Sequence, residues 1–326
     1  MSQGASVWKG GGRRIHMQEV GTRDGLQMES AFVPTEDKIA LVNALSATGL
    51  AKIEVTSFTS PTAIPALKDA EIVMREIERR PGVVYTALVP NLRGAERAIE
   101  ARTDELNLVM SVSETHNLAN LRMTREQSFA ALAQVIALAQ SAQVAVNVSL
   151  SCVFGCPMEG DVAEAEVFDY VQRFAQLGVG GVTLCDTTGM AHPAQVAGIV
   201  SAVRLRWSAL QTTLHFHNTR GMGLANVLAS IDAGRTGSTL RWAAWAAARM
   251  HRALRATSAA KRSCTRCSAW ATTPASICPA LVAAAGRLPA LIGHDIPSQI
   301  AKAGPRWALH PVPADFEAIR ARAMAR

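Results

Sequence analysis

Two stretches of this chain put reactive side chains where packing alone gives them little reason to be. His215-Phe216-His217 lies in an apolar run, Thr212 to Asn218, that reads as a buried strand. Residues i and i+2 of a strand point to one face, so both imidazoles can reach a single ion. A lone strand histidine is usually a packing residue, whereas a same-face pair beside Asn218 points to a metal. The other stretch, Glu19 to Gln27, reads EVGTRDGLQ. A strand-like run ends there at Gly21 and then presents Arg23 and Asp24, a cation beside an anion. Taken alone they could be a solvated ion pair in a loop. At the mouth of a barrel of parallel strands, where strand C-termini carry the chemistry, they would face a site. Asp24 could then add a carboxylate to the two imidazoles. Mixed oxygen and imidazole ligands suit Mg²⁺ or Mn²⁺, and also Zn²⁺, and such an ion would polarise a carbonyl or alkoxide.

The elements that must position these residues alternate. Strand-like runs are expected at His16–Gly21, Lys52–Phe58, Val83–Pro90, Glu105–Val112, Ala145–Cys152, Gly181–Thr187 and Thr212–Asn218. Their β-branched and apolar character suits strands buried on both faces. Amphipathic helical patterns are expected between them at Thr35–Thr48, Ala66–Arg80, Leu92–Arg102, Thr124–Gln143, Ala163–Leu177, Pro193–Arg206 and Gly223–Ala233, with Thr35 as an N-cap and Gly49 and Gly178 at helix C-caps. Seven β-then-α units predict an α/β chain, a (β/α)₈ barrel. No G-x-G-x-x-G follows the first strand, which argues against a dinucleotide fold. Polar residues recur near the strand C-termini: Glu54, Asn107 and Ser111, Asn147 and Ser149, Asp186, and the two histidines. In a parallel barrel these ends converge on one face. An eighth strand should follow Gly234, and none is legible there.

Composition narrows the partners. The chain has 326 residues, 49% of them hydrophobic, enough for one large core. No apolar run approaches a membrane span, and residues 1–14, MSQGASVWKGGGRR, read as a loose tail without a signal-peptide core. Six irregularly spaced cysteines fit a reducing cytoplasm better than a disulfide scaffold. Cys264 and Cys267 have zinc-ribbon spacing but no second pair, and Cys152 and Cys156 read as packing residues. The formal charge of +7 invites a nucleic-acid reading, but eight basic residues and no acidic ones lie between Arg235 and Cys278. Without those eight, 25 basic residues stand against 26 acidic ones. The basicity belongs to one segment, so neither nucleic acid nor membrane is expected as a partner.

The motifs EVGTRDGLQ, IEVTSF, LVPNLRG, SLSCVFGCPMEG, LCDTTG and HFHNTRGMGLAN resemble, in order and spacing, those of the 3-hydroxy-3-methylglutaryl-CoA lyases. The resemblance runs from about residue 15 to 234 and resumes at Pro279 through AGRLPALIGHDIPSQIAKAG. It implies a metal-dependent TIM-barrel lyase domain over 15–310, with a C-terminal tail at 311–326. It also implies cleavage of hydroxymethylglutaryl-CoA to acetyl-CoA and acetoacetate, as in leucine degradation or ketone-body metabolism. By the same resemblance, Asp24, His215 and His217 are metal ligands for Mg²⁺ or Mn²⁺, and His215 also belongs to the catalytic set. Arg23 stabilises an enolate, Glu54 and Asp186 orient the catalytic constellation, and Arg23 and Gln27 meet the substrate. The expected partners are an acyl-CoA and a second copy of the chain, as a homodimer. The alternatives are a related Claisen-type acyltransferase and a decayed, non-catalytic barrel.

The departure lies in the basic segment. The family follows its seventh unit with a strand and a glycine-rich loop of the type GGLGGCPYAxGAxGN, supplying a catalytic cysteine and a metal-binding asparagine. Here Ala248 falls at the cysteine position and Thr257 at the asparagine position. Re-read one base out of frame, permitted codons for Arg241 to His251 yield Leu-Gly-Gly-Leu-Gly-Gly-Cys-Pro-Tyr-Ala, and Ala256-Thr257 permits Asn. Residues 235–278 are therefore expected to be a frameshifted copy of the family's eighth unit. As written, the segment is expected to form helix or irregular chain, to leave the first and seventh strands with open edges, and to deprive the chain of the family's acid and fourth ligand.

Overall fold

The structure, a computed structural model, describes residues 16–233, 240–243, 277–296 and 311–325; of 240–243, 277 and 278 it describes the backbone alone. Strands β1 (His16–Glu19), β2 (Lys52–Ser57), β3 (Val84–Val89), β4 (Glu105–Ser111), β5 (Ala145–Ser151), β6 (Gly181–Asp186), β7 (Gln211–Phe216) and β8 (Leu240–Ala243) form a closed barrel in chain order. Around it run α1 (Thr35–Ser46), α2 (Ala70–Glu76), α3 (Leu92–Glu100), α4 (Glu114–Leu121), α5 (Arg125–Ser141), α6 (Glu164–Gln176), α7 (Pro193–Arg206) and α8 (Gly223–Ala233). The first seven strands fall within one or two residues of the runs expected from sequence.

Alternation along the strands divides the core in two. Ile53, Val55, Leu106, Leu108, Val146, Val148, Val182, Leu184 and Leu214 are buried apolar residues that face the helices. The residues between them, Lys52, Glu54, Glu105, Asn107, Asn147, Ser149, Thr183, Thr213 and His215, are also buried, and they are polar. Lys52 pairs with Glu105 and Glu54 with Asn107, although β2 and β4 are separated by β3. Side chains of non-adjacent strands can meet only across the barrel interior, so this polar set fills it.

Where no eighth strand was legible, one forms. Backbone at Leu240–Ala243 pairs in parallel with both β7 and β1, so the open edges expected for those strands are corrected. Unpaired N–H and C=O rows on two neighbouring strands are a strong template, and strand preference depends more on such context than on residue type. The arginine-rich remainder, with Ala248 and Thr257, lies outside the described residues.

Local corrections have physical reasons. Helix α1 begins at Thr35 itself, with Pro34 at the N-cap position. The Thr35 hydroxyl instead bonds Asp69 Oδ2 at 2.8 Å, completing a buried pair in which Asp69 Oδ1 accepts from Lys38 Nζ at 2.7 Å. The long helix expected over 66–80 splits into a 3₁₀ turn, Pro65–Leu67, and the short α2, because the chain becomes extended at Ile77 to bury its side chain. Gly49 and Gly178 do take positive φ, +86° and +75°. Two further helices, Ile277–Gly286 and Leu288–Ile292, follow β8 in the chain, the first packing against α1. The expected tail carries a helix, Phe316–Met324, exposed along its length. No helix among the described residues is long and apolar enough to cross a membrane.

Candidate metal centre

The site is built at the C-terminal end of β1. The chain leaves that strand through a π-helical turn, Gly21–Gly25, a local widening of the helical ladder that is frequent at functional sites. Its start is tied by the Glu19 carboxylate, whose Oε1 accepts from the backbone N–H of Val20 at 3.0 Å and of Gly21 at 2.7 Å. A Cβ at position 21 would stand 3.0 Å from that oxygen, so the glycine allows the close approach. The Thr22 hydroxyl donates to the Glu54 carbonyl at 2.7 Å and pins the turn to β2. Arg23 and Asp24 thereby point over the mouth.

Arg23 is 8% exposed. Its Nε and Nη2 both reach Glu54 Oε2, at 2.8 and 2.7 Å, and its Nη1 donates to Asp24 Oδ1 at 2.9 Å. Burial alone would lower the guanidinium pKa; the carboxylates of Glu54 and Asp24 outweigh it and the net direction is up. Arg23 is therefore a fixed cation. Gln27 Nε2 donates to the same Asp24 Oδ1 at 3.0 Å. That leaves Asp24 Oδ2 directed at His215 Nε2, 3.9 Å away.

The two histidines sit side by side as their i, i+2 spacing requires, with rings stacked 4.9 Å apart between centroids. Burial, above all, lowers the pKa of His215 to about 3 and that of His217 to about 4, with Arg23 adding to the effect and Asp24 opposing it. Both are neutral imidazoles near pH 7, the form that ligates metals. One ligand atom each from Asp24, His215 and His217 lie within 4.8 Å of one another. Ligands at about 2.0–2.2 Å on either side of one cation stand at most about 4.4 Å apart, so small side-chain adjustments would let all three share an ion. A carboxylate fixed by two donors and two uncharged imidazoles form a donor set that fits a divalent cation.

Asp186 takes a different place. Its Oδ1 accepts from the backbone N–H of Met190 at 2.7 Å and Ala191 at 3.1 Å, holding the loop after β6, and its backbone carbonyl accepts from His217 N–H at 3.3 Å. Its Oδ2 is buried with no partner among the described residues. Burial lifts its carboxyl pKa to about 6 against the pull of those N–H groups. Asn218, considered beside the histidine pair, accepts from Gly223 N–H at 3.1 Å near the start of α8. Cys152 and Cys156 are fully buried, as packing residues are.

Two features escaped sequence reasoning. One is the hold of Gln27 on Asp24. The other is the return of the C-terminal segment, in which Ile292 and Ile296 pack with Leu26, Val33 and Leu67, and His294 Nε2 lies 2.7 Å from Glu29 Oε2. The resumed motif from Pro279 onward thus braces the outer side of the RDGLQ turn.

Comparison with known proteins agrees with this geometry. The HMGL-like family model matches residues 14–237. The chain is 45% identical over 224 residues to hydroxymethylglutaryl-CoA lyase YngG of Bacillus subtilis, covering 69% of this chain and 75% of that protein. It is 36% identical over 222 residues to the mitochondrial hydroxymethylglutaryl-CoA lyase of Homo sapiens, covering 68% of each. Among solved structures, an HMG-CoA lyase from Acinetobacter baumannii in complex with coenzyme A and 3-methylmalate superposes with a TM-score of 0.85 at 45% identity, covering 92% of this chain and 98% of that one. With a matching barrel, the RDGLQ turn and the histidine pair in place, the chain belongs to the HMGL-like family of enzymes.

Proposed function

We propose that this protein is a carbon–carbon lyase that cleaves 3-hydroxy-3-methylglutaryl-CoA into acetyl-CoA and acetoacetate. The observation that carries the reading is the meeting of a fixed cation, Arg23, with the Asp24, His215 and His217 cluster at one barrel mouth. Asp24, His215 and His217 would hold Mg²⁺ or Mn²⁺, which supplies Lewis-acid polarisation of the substrate's oxygen atoms when bound.

In the reaction a base takes the proton of the tertiary hydroxyl, and the bond between that carbon and the methylene beside the thioester breaks. Acetoacetate leaves as the ketone, and the electron pair stays on the acetyl-CoA enolate, which takes a proton on carbon. A planar guanidinium clamped on one side by Glu54 and braced by Asp24 suits the developing enolate oxygen, because it needs no reorganisation as charge appears. Glu54 keeps that cation aimed, Gln27 steadies Asp24 and would meet the substrate, and Asp186 holds the loop beside His217. The acid that protonates the enolate is a cysteine in the family pattern, where this chain carries Ala248. The match to the family model stops at residue 237, which supports reading 235–278 as an eighth unit displaced in frame. The complete site then belongs to the frame-restored chain.

Calorimetric titration with Mn²⁺ tests the metal centre. The chain should bind one ion, His217→Ala should weaken binding at least tenfold, and the frame-restored chain should bind more tightly than the chain as written. Equal affinity of wild type and His217→Ala would remove the histidine pair from the proposed centre.

A further inference from the structure

A polar connection in the barrel interior leads away from the metal centre, through a residue with no chemistry of its own. Glu54, which aims Arg23, is 1% exposed, and Arg23 engages only one of its oxygens, Oε2. The other, Oε1, accepts from Asn107 Nδ2 across the barrel at 2.6 Å. The Asn107 amide is itself oriented, because its Oδ1 accepts from Asn147 Nδ2 at 2.9 Å and from Ser149 Oγ at 2.8 Å. Two donors on the oxygen side leave the NH₂ group as the one that faces Glu54. One layer below, Lys52 pairs with Glu105, and each shares a strand face with the residue two positions on, Glu54 and Asn107.

We propose that Asn107 is a positioning residue that fixes the direction of the Arg23 guanidinium by holding Glu54 from the opposite side of the barrel. A neutral donor suits the task. It satisfies the second carboxylate oxygen, which would otherwise be a buried anion seeking another partner such as the Lys52 ammonium below. It also leaves the negative charge of Glu54 to Arg23, where a cation at position 107 would compete for it. The catalytic meaning of this hold rests on the lyase reading above; the hold itself does not.

The test is an NMR measurement of the Arg23 Nε–H signal in the full-length protein, assigned by its loss in Arg23→Lys, alongside lyase kinetics of the frame-restored chain. In wild type the proton should exchange slowly with water, and in Asn107→Leu its exchange should speed up at least tenfold. Asn107→Asp provides the conservative check. Its carboxyl would face Glu54 on β2 with Arg23 beyond, Lys52 and Glu105 below, and Asn147 and Ser149 on β5. Burial and the Glu54 charge would raise its pKa. Protonated, it can donate as the amide does, so the signal should be wild-type-like at pH 5.5 and lost at pH 8 relative to wild type. If the exchange rate and shift are unchanged in both variants across this range, the inference is overturned. In an active protein, Asn107→Leu should also lower kcat at least tenfold with little change in KM; unchanged kcat would likewise overturn the inference. A signal that depends on Asn107 in a protein that never cleaves the substrate would sink the lyase reading and leave the hold standing.

Discussion

At the scale of single residues, Arg23 is the most exacting position. Its planar fork uses Nε and Nη2 on Glu54 and Nη1 on Asp24, a geometry an ammonium cannot copy. Arg23→Lys in the frame-restored protein should lower kcat on the order of 10²–10³-fold while KM moves far less. Steady-state kinetics decide, since a change confined to KM would make Arg23 a ground-state binder. Asp186 makes a prediction about pH. Its folded pKa, raised to about 6 chiefly by burial, lies above the ordinary carboxylate value. Its contribution to stability is therefore fully present at low pH and is lost as pH rises through about 6. Asp186→Asn keeps an oxygen for the Met190 and Ala191 N–H groups and removes the charge. Urea unfolding should show the variant gaining on wild type by on the order of 2 kcal/mol between pH 4.5 and 7.5. A pH-independent difference would contradict the burial argument.

At the scale of elements, much of the site was legible and some was not. The histidine pair was legible because strand geometry alone puts residues 215 and 217 on one face. The pairing of Arg23 with Asp24 was legible as adjacent charges, but not the π-helical turn that aims them, which depends on Glu19 folding back onto the backbone N–H groups of residues 20 and 21. The polar interior was half legible. Asn107, Asn147 and Ser149 stood out as polar residues in buried strands, yet their partners lie up to 53 positions away in the chain, and no local pattern reports that distance. The alternation of Lys52 with Glu54 and of Glu105 with Asn107 was the available signal. Loops carry the site as firmly as strands do. Gly189 has a φ of +69°, and a Cβ there would meet Thr219 Cβ at 2.9 Å. Gly189→Ala should therefore strain the loop held by Asp186, costing about 1–3 kcal/mol in denaturant unfolding. A cost near zero would mean the loop is free to move away from Thr219.

At the scale of the whole molecule, the barrel explains how motifs far apart in the chain, from the RDGLQ turn to the histidine pair, come to one mouth. Seven strands and their helices build the interior and the mouth, and the C-terminal helices brace the RDGLQ turn from outside. The short β8 closes the ring through backbone pairing, which tolerates varied side chains because the hydrogen bonds belong to the main chain. Chemistry is less tolerant, since on the proposed reading Ala248 would offer no proton where a thiol is needed. The most direct measurement is therefore release of acetoacetate and acetyl-CoA from 3-hydroxy-3-methylglutaryl-CoA by the frame-restored protein, with Mg²⁺ or Mn²⁺ and again after chelation. Equimolar products that appear with the metal and cease on chelation are the predicted result. A folded, metal-loaded, frame-restored protein that leaves the substrate intact would contradict the account.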